Sequence, residues 1–228
     1  MKSVVSIITG LLSVAWMSST PAYAISIALY DGSNLVICND EAACDSSLGQ
    51  SGVVTYNGGI GNFVVNVTTG ITYPVLGTQT DAQLDLNSIN VSSTGGGSLQ
   101  VYVSEINYSG NTSFITEAGG TTSGTVEVDS WLSDANCLFC TDSPLGTLGP
   151  FSGGAFSSST SGSGSATGDY SLTLVASITH PEGKFSSTSF DANLSAVPVP
   201  EPSSLLLLGS GLVGLAFWGR KRFGSIKY

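Results

Sequence analysis

Between Ile25 and Leu194 runs of alternating apolar and polar side chains are widespread, and that period of two restricts the chain to strands. Ile25, Ile27 and Leu29 alternate, Asp31-Gly32 turns, and Leu35 and Ile37 resume. Val53 to Tyr56 leads into a turn at Asn57-Gly58-Gly59, after which Phe63, Val65 and Val67 alternate. Leu84 and Leu86 share one phase and Ile89 and Val91 the other, so a bulge is expected at Asn87-Ser88. Gly95-Gly96-Gly97 separates that strand from Leu99, Val101 and Val103. Val126 and Val128 mark a strand ending near Trp131, Tyr170 to Ile178 another, and Phe190, Ala192 and Leu194 the last. No window between the two ends has a helical period. The pattern predicts an all-β fold: a single antiparallel β-sandwich, jelly-roll-like, over residues 25–196. Ser157 to Gly168, SSSTSGSGSATG, reads as a long hairpin loop inside that domain, because too few residues follow it to build a second one.

The two ends have a different character. Met1 to Ala24 has a basic Lys2, an apolar stretch from Val4 to Met17, and the small-residue site Ala22-Tyr23-Ala24 after Pro21. This is the pattern of a secretory signal peptide, with Ile25 as the first mature residue. It implies the Sec translocon and signal peptidase as partners. At the other end, residues 197–204 form a hinge carrying Val197, Pro198, Pro200, Glu201 and Pro202. Proline fixes its own φ and pushes the preceding residue extended, so this backbone is presented to whatever grips it. An uncharged segment follows over residues 205–219, expected as a single apolar helix near the lower limit of a membrane span. Arg220, Lys221 and Arg222 close it in residues 220–228, a stop-transfer cluster that stays cytoplasmic and leaves the domain on the far side.

Charge excludes one class of partner. Fifteen of the sixteen acids but only one basic residue, Lys184, fall between Ile25 and Val197, giving that region a net charge of about −14. Phosphate backbones are held by clustered cations, so nucleic acid is not a partner.

Four cysteines in an exported chain point to disulfides. Crossed pairing is allowed by the sequence; the local bridges Cys38–Cys44 and Cys137–Cys140 are the expected ones. Asn39, Asp40, Glu41 and Asp45 offer oxygen ligands suited to Ca²⁺, but without any calcium-loop spacing they are read as a solvated acidic loop, and no cofactor or metal is expected. His180 is the only histidine. With no G-x-S-x-G elbow it is read as a turn residue before Pro181, with no catalytic residue assigned and no enzyme expected.

The order Val197-Pro198-Val199-Pro200-Glu201-Pro202-Ser203, apolar run, Arg220-Lys221-Arg222 resembles the PEP-CTERM sorting signal, also called the ice-binding protein C-terminal domain. The resemblance implies recognition by an exosortase, a membrane-embedded transpeptidase of Gram-negative bacteria that make exopolysaccharide. It implies transient inner-membrane anchoring, then release to the cell surface or extracellular matrix. The expected role is a structural or interaction protein of a biofilm or exopolysaccharide matrix. The alternative is a carbohydrate-binding module using exposed aromatics from among Tyr56, Tyr73, Tyr102, Tyr108, Trp131 and Tyr170; a secreted hydrolase ranks behind both.

Overall fold

The computed structural model describes residues 25–197, 207–213 and 215. Ten antiparallel strands make up the domain: β1 (Ile25–Tyr30), β2 (Leu35–Asn39), β3 (Val53–Ile60), β4 (Phe63–Ile71), β5 (Gln83–Ser93), β6 (Gly97–Tyr108), β7 (Ser113–Ser133), β8 (Ser143–Ser163), β9 (Tyr170–His180) and β10 (Ser186–Ala196). Residues 207–213 and 215 are helical and exposed where described. They fall inside the segment expected to span a membrane, but among the described residues no helix is long and apolar enough to cross one.

All ten strands belong to one hydrogen-bonded sheet, in the order β2-β1-β6-β9-β7-β10-β5-β4-β3, with β8 also on β7. A sandwich arises because this sheet doubles over. The first half of β7 (Phe114 to Thr122) pairs with β10, and its second half (Thr125 to Ser133) pairs with β9. Two leaves therefore diverge from one long strand: β2-β1-β6-β9 and β3-β4-β5-β10. They close face to face, with β1 against β3 and β5 against β9. Along β7 the alternation never slips: Phe114, Thr116, Ala118, Thr122, Val126, Val128, Ser130 and Leu132 all point inward. The core between the leaves draws on β1, β3–β7, β9 and β10, each buried Leu, Ile or Phe contributing about 1.5–3 kcal/mol.

The low-complexity stretch is where sequence and structure differ most. Ser157 to Ser163 is not loop but the second half of β8, paired with Ser113 to Gly119. Because the β7–β8 hairpin bends back on itself, the two ends of β8 face each other. An added Cβ on Gly162 would lie 1.7 Å from the Leu145 carbonyl oxygen, and one on Gly146 would lie 2.5 Å from Thr160 Cγ2. Thr116 and Ser130, fourteen residues apart along β7, share a 2.6 Å hydrogen bond between their hydroxyls. Only Gly, Ser and Thr fit where the leaves approach this closely. Composition that suggests a flexible linker is here the signature of a pinched sandwich edge.

Asn57-Gly58-Gly59 lies within β3 rather than in a turn; the register shifts at Tyr56/Gly58 and the chain turns at Gly61-Asn62. The strand ending near Trp131 starts much earlier, at Ser113. The expected bulge at Asn87-Ser88 is present: β5 and β10 shift register there, and the Ser88 amide donates to Asp191 Oδ1 at 2.6 Å.

Candidate functional site

The most distinctive surface lies on the outer face of the β2-β1-β6-β9 leaf. Strand register sets it up. Ala28 sits between Ile37 on β2 and Tyr102 on β6, and in the next outward row Tyr30 sits between Leu35 and Gln100. Small Ala28 forms a floor, and larger neighbours rise on either side. The result is a cleft of about 360 Å³ lined by Ala28, Tyr30, Leu35, Ile37, Tyr102 and Phe139. Leu35 is 62% exposed, Ile37 50% and Tyr30 39%, so this apolar surface is open to solvent.

Phe139 reaches the cleft through the Cys137–Cys140 bridge. The bridge closes a tight loop in which Phe139 takes a left-handed backbone (φ 61°), and its amide donates to Ser104 Oγ at 3.0 Å. The ring then stands edge-on to Tyr102, centroids 6.2 Å apart at 84°. Tyr102 donates its hydroxyl to Gln100 Oε1 at 3.1 Å, and Tyr30 donates to the Gly32 carbonyl at 2.9 Å. Both rings are thereby oriented before any ligand arrives. Beyond Tyr30 the surface continues into a second cleft of about 270 Å³, where Asp31, Ser98, Gln100, Ser177 and Thr179 add polar groups. An aromatic cleft joined to one that carries several hydroxyl and amide side chains suits a ligand with both C–H faces and hydroxyls.

The aromatics named from sequence separate sharply. Tyr56, Tyr108 and Tyr170 are buried, and Tyr73 packs against the core with its hydroxyl on the Ile106 carbonyl at 3.0 Å. Tyr102 alone of the six lines the cleft; Trp131 is half-exposed elsewhere. Tyr30 and Phe139 are added by the structure. Nothing in the sequence marks them, because only strand register and a loop crossing put them beside Tyr102.

The other outer face carries an open trough of about 620 Å³, floored by Gly119 and walled by Glu117, Ser157, Ser159, Asp191 and Asn193. It brings two carboxylates together but no aromatic ring.

Both local disulfides are present, Cys38–Cys44 and Cys137–Cys140, with Cα atoms 5.7 and 5.6 Å apart. The loop after Cys38 is not the solvated acidic loop expected. Asp45 is buried and its carboxylate accepts from the amides of Glu41, Ser47 and Thr55 and from Ser47 Oγ. These bonds outweigh burial and hold its pKa low. Asp40 is buried too, with Oδ2 on the Gly52 amide at 2.8 Å. Among the described residues no group of three or more His, Cys, Asp or Glu is arranged to hold a metal.

His180 is not a turn residue. It closes β9 in the interior, 1% exposed, with Nδ1 2.8 Å from Ser93 Oγ and Nε2 2.9 Å from Thr188 Oγ1, which in turn lies 2.7 Å from Thr122 Oγ1. The network ties β5, β7, β9 and β10 together. Burial lowers the His180 pKa, so the ring is neutral. A His180→Ala change is expected to cost about 2–3 kcal/mol through the unpaired hydroxyls and the cavity left behind, read as a lower urea midpoint. Stability carried by the neutral ring is present above pH about 6.5 and lost as pH falls below it.

The chain leaves the domain at a fixed point. The Val197 amide donates to the Ser113 carbonyl at 2.8 Å, and the Asn111 side-chain amide donates to the Val197 carbonyl. Pro198, Pro200, Glu201, Pro202, Arg220, Lys221 and Arg222 lie outside the described residues, as do Ala22 and Ala24. Residues 198–221 match the family model of the PEP-CTERM protein-sorting motif. The chain carries a PEP-CTERM sorting signal. It is thus an exported protein, sent across the membrane toward the cell surface, and an exosortase is its processing partner. The PEP-CTERM motif begins at residue 198, one residue past the Val197 clamp. No curated protein matches this PEP-CTERM chain. Among solved structures it is similar to TmCBM61 in complex with beta-1,4-galactotriose, with 11% identity over 48% of this chain and 70% of that one, TM-score 0.35. It is also similar to the enzymatically active domain of bacteriophage CBA120 tailspike protein 4, with 10% identity over 58% of this chain and 19% of that one, TM-score 0.32.

Proposed function

We propose that this PEP-CTERM protein is a non-catalytic component of the cell surface or extracellular matrix whose sandwich binds neutral exopolysaccharide. The observation that carries the reading is the cleft of Tyr30, Tyr102 and Phe139 running into a second cleft that bears the Gln100 and Ser98 side chains. Pyranose rings present apolar C–H faces that pack on aromatic rings, and their hydroxyls pair with amide and hydroxyl side chains. The acidic domain, with Lys184 as its one cation, favours neutral over uronate-rich chains by simple repulsion. The only histidine is closed inside a hydroxyl network, which supports a binding role over histidine-dependent hydrolysis. In this reading residues 205–219 hold the protein in the inner membrane until the exosortase cuts near Pro200–Pro202. Mass spectrometry of the exported protein then finds no Leu205–Trp218 peptide in wild type and an intact one without the exosortase.

Affinity electrophoresis of the mature chain through gels containing neutral or uronate polysaccharides tests the ligand. At least one neutral polysaccharide is expected to retard it, and Tyr102→Ala and Phe139→Ala each to weaken binding about tenfold or more. Retardation only by uronate polymers, by none, or equally for folded variants and wild type overturns the reading.

A further inference from the structure

Two buried carboxylate oxygens among the described residues have no hydrogen-bond partner, Asp40 Oδ1 and Glu105 Oε2. Both belong to side chains beside Ile25. Glu105 is the register partner of Ile25 across the β1–β6 pair, and the two point into the same interior face. On the other edge of β1 the Asp40 amide donates to the Ile25 carbonyl at 3.0 Å. The N and C=O of one strand residue face the same edge, so the Ile25 nitrogen faces Asp40. Ile25 and Glu105 are each fully buried, and Asp40 nearly so.

The remaining oxygens of the two acids are used: Asp40 Oδ2 accepts the Gly52 amide and Glu105 Oε1 the Ile106 amide at 2.7 Å. Other ionisable groups facing the pair add no positive charge. They are Tyr73 and Tyr108 toward Glu105, and Glu41 and Asp45 toward Asp40. Lys184 lies in the β9–β10 turn. Burial raises both carboxyl pKa values, Glu105 to about 8, with the Asp40 charge adding to it. A buried acid pair with two empty acceptor positions lacks one cationic donor.

We infer that this donor is the α-ammonium of Ile25, generated when the leader is removed after Ala24, so that processing completes the interior of the domain. The step is a hydrolysis. Water adds across the Ala24–Ile25 peptide bond, the C–N bond breaks, Ala24 leaves as a carboxylate, and the new amine takes up a proton. The neutral, single-donor amide of residue 25 becomes a cation with three donors, on the strand residue that Asp40 and Glu105 flank. The inference rests on cleavage at that bond and is independent of the carbohydrate reading.

The test compares the full mature chain, Ile25 to Tyr228 in detergent, with the same chain retaining Ala24. At pH 7 the mature chain is expected to melt about 3–8 °C higher, because one added residue displaces the ammonium from the acids. An Asp40→Asn/Glu105→Gln double variant is expected to erase that difference. A second reading needs no variant. An amine-acylating reagent at pH 8 should modify the native Ile25 α-amine about tenfold or more slowly than in urea, while Lys184 reacts alike in both. Equal melting of the two chains, a difference that survives the double variant, or native labelling of Ile25 at the denatured rate overturns the inference. So does an exported protein whose first residue, by mass spectrometry, is not Ile25.

Discussion

Replacing Gly162 with valine is expected to destabilise the protein by about 3 kcal/mol or more, a fall in melting temperature of about 6–12 °C. The position is an unremarkable member of a Ser/Gly tract, and nothing local to it demands glycine. The demand comes from across the sandwich edge, where a Cβ would sit 1.7 Å from the Leu145 carbonyl oxygen. That neighbour is backbone, held in β8 between Pro144 and Gly146, which both pair with β7, so it cannot rotate away as a side chain would. Relief requires the two ends of β8 to part, which pulls Thr116 from Ser130 and opens the adjoining core around Phe114 and Leu132. Gly168, with nothing within 4 Å of its Cβ position, is the control: Gly168→Ala is expected to shift stability by less than about 0.5 kcal/mol. Thermal melts of both variants decide it, and a Gly162→Val protein as stable as wild type would show that β8 does not fold back on itself.

The second large effect is a pH dependence. With residue 24 still attached, Glu105 has a folded pKa of about 8 against an ordinary value of 4.5. A raised folded pKa means that the folded state holds the proton more tightly. Its stabilisation is therefore complete below pH about 4.5 and is lost as pH rises through about 8. The chain retaining Ala24 is expected to gain about 2 kcal/mol as pH falls from about 8.5 to about 6.5. His180 does not interfere in that window, because its neutral ring begins to lose stability only below about 6.5. Glu105→Gln should flatten the profile and stabilise this form above pH 8. In the mature chain the α-ammonium holds Glu105 ionised, so the slope disappears and the same substitution becomes destabilising. Urea unfolding at several pH values, with and without Ala24, measures both signs.

Some of the site was legible beforehand and some was not. The local bridge of Cys137 and Cys140 followed from a three-residue spacing that keeps the partners close, but its use did not. Phe139 becomes part of a cleft only because its loop crosses the outer face over Ser104 and meets Tyr102. Tyr108 and Tyr170 look as available as Tyr102 in the sequence. They differ only in which side of their strands the doubled sheet encloses: Tyr102 faces out from β6, while Tyr108, past the register shift of that strand, faces in. Asp40 and Asp45 read as surface acids because acids usually are. The structure turns them onto backbone amides of their own loop and of β3.

By itself the sequence determined the all-β class, the bulge at Ser88 and the sorting signal at its end, and made the two local bridges the expected pairing, because each depends on residues close together in the chain. Only the tertiary structure decided that the sheet is one ladder doubled at β7, that a Ser/Gly tract is a pinched edge strand, which tyrosines see solvent, and that Asp40 and Glu105 flank Ile25. Those outcomes depend on pairings between residues far apart in sequence, where the choice of inside and outside is set by how the leaves close and not by the side chain's own polarity.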